Sequence, residues 1–224
     1  MQSYAVADLL LEDEALRDGL QIESRIFTIG EKIELFDYLR DAGLKRIQVG
    51  SFVHPRIVPQ MADTDALIRT LGKQPGTVVS VLILNDRGLE RALACGVEHV
   101  SMSVSIALVA AALPGVRISL HLHDTRGLGL ANMLAGYEAG VRTFDVCAGG
   151  LGGCPFVKGA AGNVPTEDAV NMFDSMGIAT GISLPALMPA VEFLETTLGR
   201  ALPGRMKRVL AFQRACSAET GGAG

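Results

Sequence analysis

The sequence predicts an α/β fold of the TIM type, a (β/α) barrel, on three observations. Short apolar strands alternate with amphipathic helices of about a dozen residues, the pattern of parallel βαβ units. Charged and glycine-rich residues fall after the carboxyl ends of at least four strands, the face on which a barrel builds its site. No G-x-G-x-x-G follows the first strand, so the doubly wound dinucleotide-binding sheet, which also uses strand ends, is disfavoured.

The elements follow in order. Leu9 to Leu16 reads as a strand running into the polar loop Arg17-Asp18-Gly19-Leu20-Gln21. Thr28-Ile29-Gly30-Glu31 is a capping box, and its helix carries Ile33, Leu35, Phe36 and Leu39 on one face before ending near Gly43. Arg46 to Phe52 is the second strand, and Asp63 or Thr64 caps a helix to about Leu71. Thr77 to Leu84 is valine-rich, the composition of a strand buried on both faces. Asn85 caps a third helix that stops at Gly96, and His99 to Ser105 is the fourth strand. Arg117 to Asp124, Leu128 to Ala139 and Thr143 to Ala148 are strand, helix and strand. Pro165 to Met176 and Leu184 to Leu198 are the closing helices, and a short basic helix is expected from Arg205. Residues 1–216 form a single barrel domain on this reading, and Ser217 to Gly224 a frayed tail.

One place breaks the rhythm. Ser101-Met102-Ser103-Val104-Ser105 runs into Ile106-Ala107-Leu108-Val109-Ala110 with no cap or turn residue, and Pro114-Gly115 leads at once to the next strand. A parallel crossover needs about a dozen residues, so this one is minimal. About six strands are present where a barrel has eight. The junction at Ser105 and Ile106 marks roughly two missing βα units.

The chemistry centres on Ile118-Ser119-Leu120-His121-Leu122-His123-Asp124-Thr125. Alternation makes it a strand, and residues i and i+2 of a strand share a face. His121 and His123 therefore stand side by side at a strand's carboxyl end, half of a divalent metal site. The chain holds only four histidines, which argues against an accidental pair. Arg17-Asp18 sets a fixed cation beside a carboxylate, a pattern that alone also occurs in surface ion pairs. Asn163 follows a glycine-rich turn before a helix. Gly149-Gly150-Leu151-Gly152-Gly153-Cys154-Pro155 is too permissive for a plain turn. It suits a mobile lid or a close backbone approach to a ligand, with Cys154 at its tip.

These segments, with Gly50-Ser51-Phe52-Val53-His54-Pro55 and Val58-Pro59-Gln60-Met61, resemble the 3-hydroxy-3-methylglutaryl-CoA lyase family of metal-dependent barrel lyases. The glycine loop ending in Cys154-Pro155 separates the lyases from related synthases. The resemblance implies Mg²⁺ or Mn²⁺ held by Asp18, His121, His123 and Asn163. Zinc bound through Cys147 or Cys154 is the rival, disfavoured because Cys154 is placed for catalysis and Cys147 falls on a strand. The implied substrate is a branched 3-hydroxyacyl-CoA with a distal carboxylate, 3-hydroxy-3-methylglutaryl-CoA or a close relative, as used in leucine degradation and ketone-body formation. The implied reaction is a retro-aldol cleavage to a ketoacid and an acyl-CoA enolate. His121 or a metal-bound water would take the hydroxyl proton, Arg17 would stabilise the enolate and Cys154 would protonate it. Gln21, Gln48, Ser51 and Glu167 would form the supporting shell, and Gly149, Gly150, Gly152 and Gly153 the closing loop.

Two departures stand out. Gln48 occupies a strand position where these lyases usually carry a glutamate near the arginine, which leaves another acyl-CoA specificity open. The junction after Ser105 removes the fifth and sixth strands and an acidic strand end. Either the full chain carries further residues at this junction or the deletion is real; a real deletion would leave weak or no activity and an open edge prone to oligomerise, with a non-catalytic binding or scaffold protein as the alternative reading.

Composition bounds the rest. A net charge of -4 argues against a nucleic-acid binder. No stretch reaches the apolar length of a membrane span; Met102 to Leu113 comes nearest and is broken by Ser103 and Ser105. Four cysteines without C-x-x-C spacing, and an acidic N-terminal segment with no basic leader, point to a reducing, cytoplasmic setting. The expected partners are the acyl-CoA substrate and a second copy of the chain.

Overall fold

The computed structural model of the chain describes residues 9–84, 86–97, 99–101, 119–124, 127–153 and 162–212. Cys154, Asn85, the junction at Ser105 and Ile106, and the tail from Ser217 lie outside the described residues.

Six parallel strands form a half-barrel wall: β1 (Leu10–Asp13), β2 (Arg46–Ser51), β3 (Val78–Leu82), β4 (His99–Ser101), β5 (Ser119–His121) and β6 (Thr143–Val146). Their order is β4-β3-β2-β1-β6-β5. This order decides between the two candidate architectures. A doubly wound sheet steps outward and leaves its last strand at an edge, whereas here β6 returns to pair with β1, Leu10 facing Thr143 and Asp13 facing Val146. Among the described residues the edges of this sheet are β4 and β5, neighbours in sequence across residues 102–118. These two edges flank the point where the sequence lacks two βα units.

The helices are α1 (Ile29–Asp41), α2 (Thr64–Leu71), α3 (Asp86–Ala94), α4 (Gly129–Glu138), α5 (Thr166–Ser175) and α6 (Leu184–Leu198). The capping box at Thr28 and Glu31 is formed in both directions. Asp63 does not cap α2; its carboxylate is drawn instead to Lys32 Nζ, buried on α1, at 2.5 Å. Ser183 caps α6 through Ala186 N. α6 lies on α1, with Tyr38 against Phe193 at 5.9 Å between ring centroids, and Phe144 of β6 meets Phe173 of α5 at 5.8 Å. Residues 206–212 are helical, as the basic segment suggested. Among the described residues no helix is long and apolar enough to cross a membrane.

Strands prove shorter than the hydrophobic runs that announce them, and one difference matters. The first strand stops at Asp13, not Leu16, and Ala15–Gly19 forms a π-helical turn in which Arg17 N and Gly19 N both donate to Glu14 O, at 3.0 and 3.1 Å. Arg17 and Asp18 ride on this buried turn rather than on a polar loop. β3 is buried at Ser80 and Val81 but open at Val78, so it is covered on both faces only in its middle.

Beneath the site the wall carries polar side chains from neighbouring strands. Glu12 accepts from Ser80 Oγ, accepts from Gln48 Nε2 at 3.4 Å and pairs with Arg46 at 3.5 Å. Burial outweighs these partners and raises the Glu12 carboxyl to about 7. Asp13 is a staple: Oδ1 accepts from Ala15 N, and Oδ2 from Ala148 N at 2.9 Å and Thr166 Oγ1 at 2.6 Å. It ties the π-helical turn to the end of β6 and the start of α5.

Candidate metal centre

Three separate pieces of backbone bring the site together. The π-helical turn supplies Arg17 and Asp18, and the end of β5 supplies His121 and His123. The segment after residue 161 supplies Asn163, whose backbone bridges antiparallel to His123. Asp124 N donates to Gly162 O at 2.9 Å and Val164 N to Leu122 O at 3.2 Å, so the asparagine is registered directly against the histidine pair.

Glycine makes that approach possible. A side chain at Gly162 would run into the carbonyl oxygens of Gly152 and Leu151, at 2.6 and 2.7 Å from its Cβ. Gly152, with φ of +98°, would place a Cβ 2.7 Å from Asn163 Nδ2 and 2.9 Å from Asp18 Oδ2. The described part of the glycine loop is therefore a close backbone approach that positions Asn163. The reading of the loop as a lid rests on Cys154 and its neighbours, outside the described residues.

Among the ligand atoms, His121 Nε2 and His123 Nε2 face each other at 3.1 Å, and His123 Nε2 lies 4.0 Å from Asp18 Oδ2. Asn163 Nδ2 donates to Asp18 Oδ2 at 2.8 Å and to Leu151 O at 3.1 Å. That spends the amide's donors and leaves Asn163 Oδ1 buried with no hydrogen-bond partner. An orphaned buried oxygen on a residue bonded to Asp18 and bridged to the His123 backbone is what a bound cation would satisfy. Oxygen and imidazole donors suit Mg²⁺ or Mn²⁺. Among the described residues no cysteine joins the group; Cys147 lies just past β6, fully buried, its thiol pushed well up by burial and the surrounding carboxylates.

Arg17 is held on several sides. Nε donates to Gln48 Oε1 at 2.5 Å, Nη1 to Asp18 Oδ1 at 2.5 Å, and Nη2 to Glu14 Oε2 at 2.8 Å. His121 Nδ1 lies 3.1 Å from the same Glu14 oxygen and 3.6 Å from Asp145 Oδ2. Burial works against a charged imidazole, but the Asp145 and Glu14 carboxylates overcome it and raise His121 to about 10. Burial and the neighbouring His121 cation push His123 down.

The supporting residues divide. Gln48 remains a partner of Arg17, accepting from its Nε. Gln21 is half-buried just past the π-helical turn, and Ser51 ends β2 with its buried Oγ lacking a partner. Glu167 does not reach the ligand group: its Oε2 accepts from Gly149 N at 3.0 Å, and burial raises its carboxyl to about 8. It supports the glycine loop from below. Asp168 receives Arg205 N and Met206 N and so anchors the last helix. A cleft of about 230 Å³ opens beside Asn163, lined by Asp124, Gly162, Pro203 and Arg205.

Glu14 and Asp145 escaped the sequence reading. The signal for Glu14 was present in the run Glu12-Asp13-Glu14, three acids at the end of an apolar strand, which need partners if buried.

A family model described as HMGL-like matches residues 9–113 and 101–194. The (R)-citramalyl-CoA lyase of Chloroflexus aurantiacus is 30% identical, with 85% of this chain and 91% of that one covered. That alignment runs over 289 residues, longer than the 224-residue chain, so the relative carries internal residues that this chain lacks. A crystal structure of hydroxymethylglutaryl-CoA lyase from Pseudomonas aeruginosa superposes with a TM-score of 0.82 at 27% identity, covering 92% of this chain and 98% of that one. An HMG-CoA lyase from Acinetobacter baumannii, in complex with coenzyme A and 3-methylmalate, gives a TM-score of 0.79 at 27% identity over 93% and 96%.

Proposed function

The chain belongs to the HMGL-like family, and from that premise we propose that it is a metal-dependent carbon–carbon lyase acting on a branched 3-hydroxyacyl-CoA, 3-hydroxy-3-methylglutaryl-CoA or a near relative such as citramalyl-CoA. The observation that carries this reading is the convergence of Asp18, His121 and His123 beside a cationic arginine, with Asn163 bonded to Asp18 and its Oδ1 left unpartnered.

Asp18, His121, His123 and Asn163 would hold Mg²⁺ or Mn²⁺. When bound, such an ion supplies Lewis acidity to the substrate's hydroxyl and carboxylate oxygens. The chain's own groups do the rest. The proton of the tertiary hydroxyl passes to water in the site, since His121 would spend Nδ1–H on Glu14 and Nε2 on the ion. The C2–C3 bond breaks, its electron pair passing to the thioester as an enolate while C3 becomes the ketone of the departing ketoacid. Arg17, fixed by Gln48, Glu14 and Asp18, turns its remaining N–H groups to the enolate oxygen. Cys154 is the proton donor to the enolate carbon, giving the acyl-CoA. Arg205, lining the cleft beside Asn163, offers a cation for the substrate's anionic groups.

Gln48, a neutral amide at Arg17 Nε where the resemblance implies a carboxylate, keeps both acyl-CoA substrates in play. The edges that β4 and β5 leave unpaired among the described residues favour a second reading, a deleted remnant that binds metal without turnover. One experiment separates them: cleavage of 3-hydroxy-3-methylglutaryl-CoA and citramalyl-CoA, with Mg²⁺ and with chelator, by the chain of verified 23.6 kDa mass. Metal-dependent release of acetyl-CoA from either supports the lyase. Its absence from both, with Mn²⁺ still bound, leaves the remnant.

A further inference from the structure

We propose that Glu14 is a positioning residue that locks Arg17 and His121 to each other through one carboxylate oxygen; the role rests on the lyase reading for its catalytic half and on geometry alone for its metal half. Oε2 of Glu14 accepts from Arg17 Nη2 at 2.8 Å and lies 3.1 Å from His121 Nδ1. The side chain is 2% exposed, and a carboxylate so buried is destabilising unless its partners hold it closely. Those partners lie on different elements, the π-helical turn and the end of β5, and they are the groups meant to meet the substrate oxygen and the cation.

The backbone fixes where this carboxylate points. Glu14 N donates to Val146 O at 2.8 Å, extending the β1–β6 ladder by one residue. Glu14 O receives Arg17 N and Gly19 N, so the residue is also the hub of the π-helical turn. Anchored on both sides, its side chain reaches the imidazole on the nitrogen opposite the one that faces His123. A carboxylate on Nδ1–H leaves Nε2 as the nitrogen free to ligate, the usual outer support of a metal-bound histidine. The Asp145 carboxylate, held by Ser119 Oγ, stands farther off at 3.6 Å and reinforces the same tautomer. Gln48, neutral, cannot supply the charge that Arg17 receives from Glu14.

The test compares wild type with Glu14→Gln, Glu14→Leu and Glu14→Gln/Gln48→Glu. Mn²⁺ affinity is read by electron paramagnetic resonance, kcat and KM on 3-hydroxy-3-methylglutaryl-CoA, and Tm by calorimetry. Glu14→Leu should weaken Mn²⁺ binding by about 10–100-fold, the usual cost of losing an outer partner, with Glu14→Gln between it and wild type. Turnover should fall through kcat with KM little changed, and Gln48→Glu should recover part of kcat by returning a carboxylate to Arg17. Wild-type Mn²⁺ affinity in Glu14→Leu, or a lowered Tm with affinity and kcat intact, overturns the role. If Glu14→Leu does not fold, Glu14→Gln with unchanged affinity overturns it equally. A wild-type chain without turnover defeats the lyase reading alone, and the Mn²⁺ comparison still decides Glu14.

Discussion

Asn163 Nδ2 donates to Asp18 Oδ2 at 2.8 Å, joining residues 145 positions apart and leaving the asparagine's carbonyl oxygen buried without a partner. The bond orders the ligands before any ion arrives. Asn163→Ala removes a ligand and the brace on another, so Mn²⁺ affinity should fall by more than the roughly 10–100-fold that loss of an outer partner costs. Asp18→Ala should abolish metal-dependent turnover. Isothermal titration of each variant with Mn²⁺ is the check, and wild-type affinity in either removes that residue from the ligand set.

Gly152 and Gly162 are steric requirements of the site, and the two should fail differently. Gly162→Ala drives a methyl into backbone carbonyls of the glycine loop, which cannot swing aside; a loss of about 1–3 kcal/mol is expected from such overpacking. Gly152→Ala meets the tips of Asn163 and Asp18 instead, and its left-handed backbone adds about 1–2 kcal/mol of strain. It should therefore weaken Mn²⁺ binding as well as lower Tm. A Gly152→Ala variant with intact metal affinity would place the loop elsewhere when the ion is bound.

How much of this was written in the sequence depended on how local each signal was. His121 and His123 were legible because a period of two puts both on one face whatever surrounds them. The pairing of Asp18 with Asn163 was reachable only through family resemblance, since nothing local links them. Glu12, Asp13 and Glu14 entered the sequence reading only as acidic residues in place of a basic leader, yet they are buried. Their partners Ser80, Thr166, Ala148 and His121 come from distant elements that a one-dimensional reading cannot bring together. The strand end at Asp13 was missed for a related reason: Ala15 and Leu16 prolong the apolar run, but they pack from a π-helical turn.

The open wall makes a prediction about association. Among the described residues β4 and β5 each pair on one side only, and exposed strand edges invite pairing with another chain. The chain should dimerise or assemble further as concentration rises, measured by sedimentation velocity. Lysine on an edge strand blunts such pairing, so Val100→Lys, at a position 36% exposed on β4, should shift the distribution toward monomer. An unchanged distribution would mean that the interface lies away from this edge.

Stability should fall as pH rises from about 5 to 8. Burial, the largest influence on each, raises Glu12 to about 7, Asp13 to about 6 and Glu167 to about 8, above ordinary carboxylate values. A carboxyl whose folded pKa is raised keeps its proton in the folded chain after the unfolded chain has released it. Its stabilising contribution is complete below the unfolded pKa and is lost as pH climbs through the folded one, at about 1.4 kcal/mol per pH unit for each group titrating. Glu167→Gln cannot ionise, and its amide oxygen can still accept from Gly149 N. The variant should match wild type near pH 5 and unfold at a higher temperature than wild type near pH 8, because it escapes the cost of a buried charge beside Asp168 and Asp13. Calorimetric Tm measured against pH for both chains is the check. Parallel curves across pH 5 to 8 would show that Glu167 is ionised throughout, and that its buried Oε1 finds a partner absent from this structure.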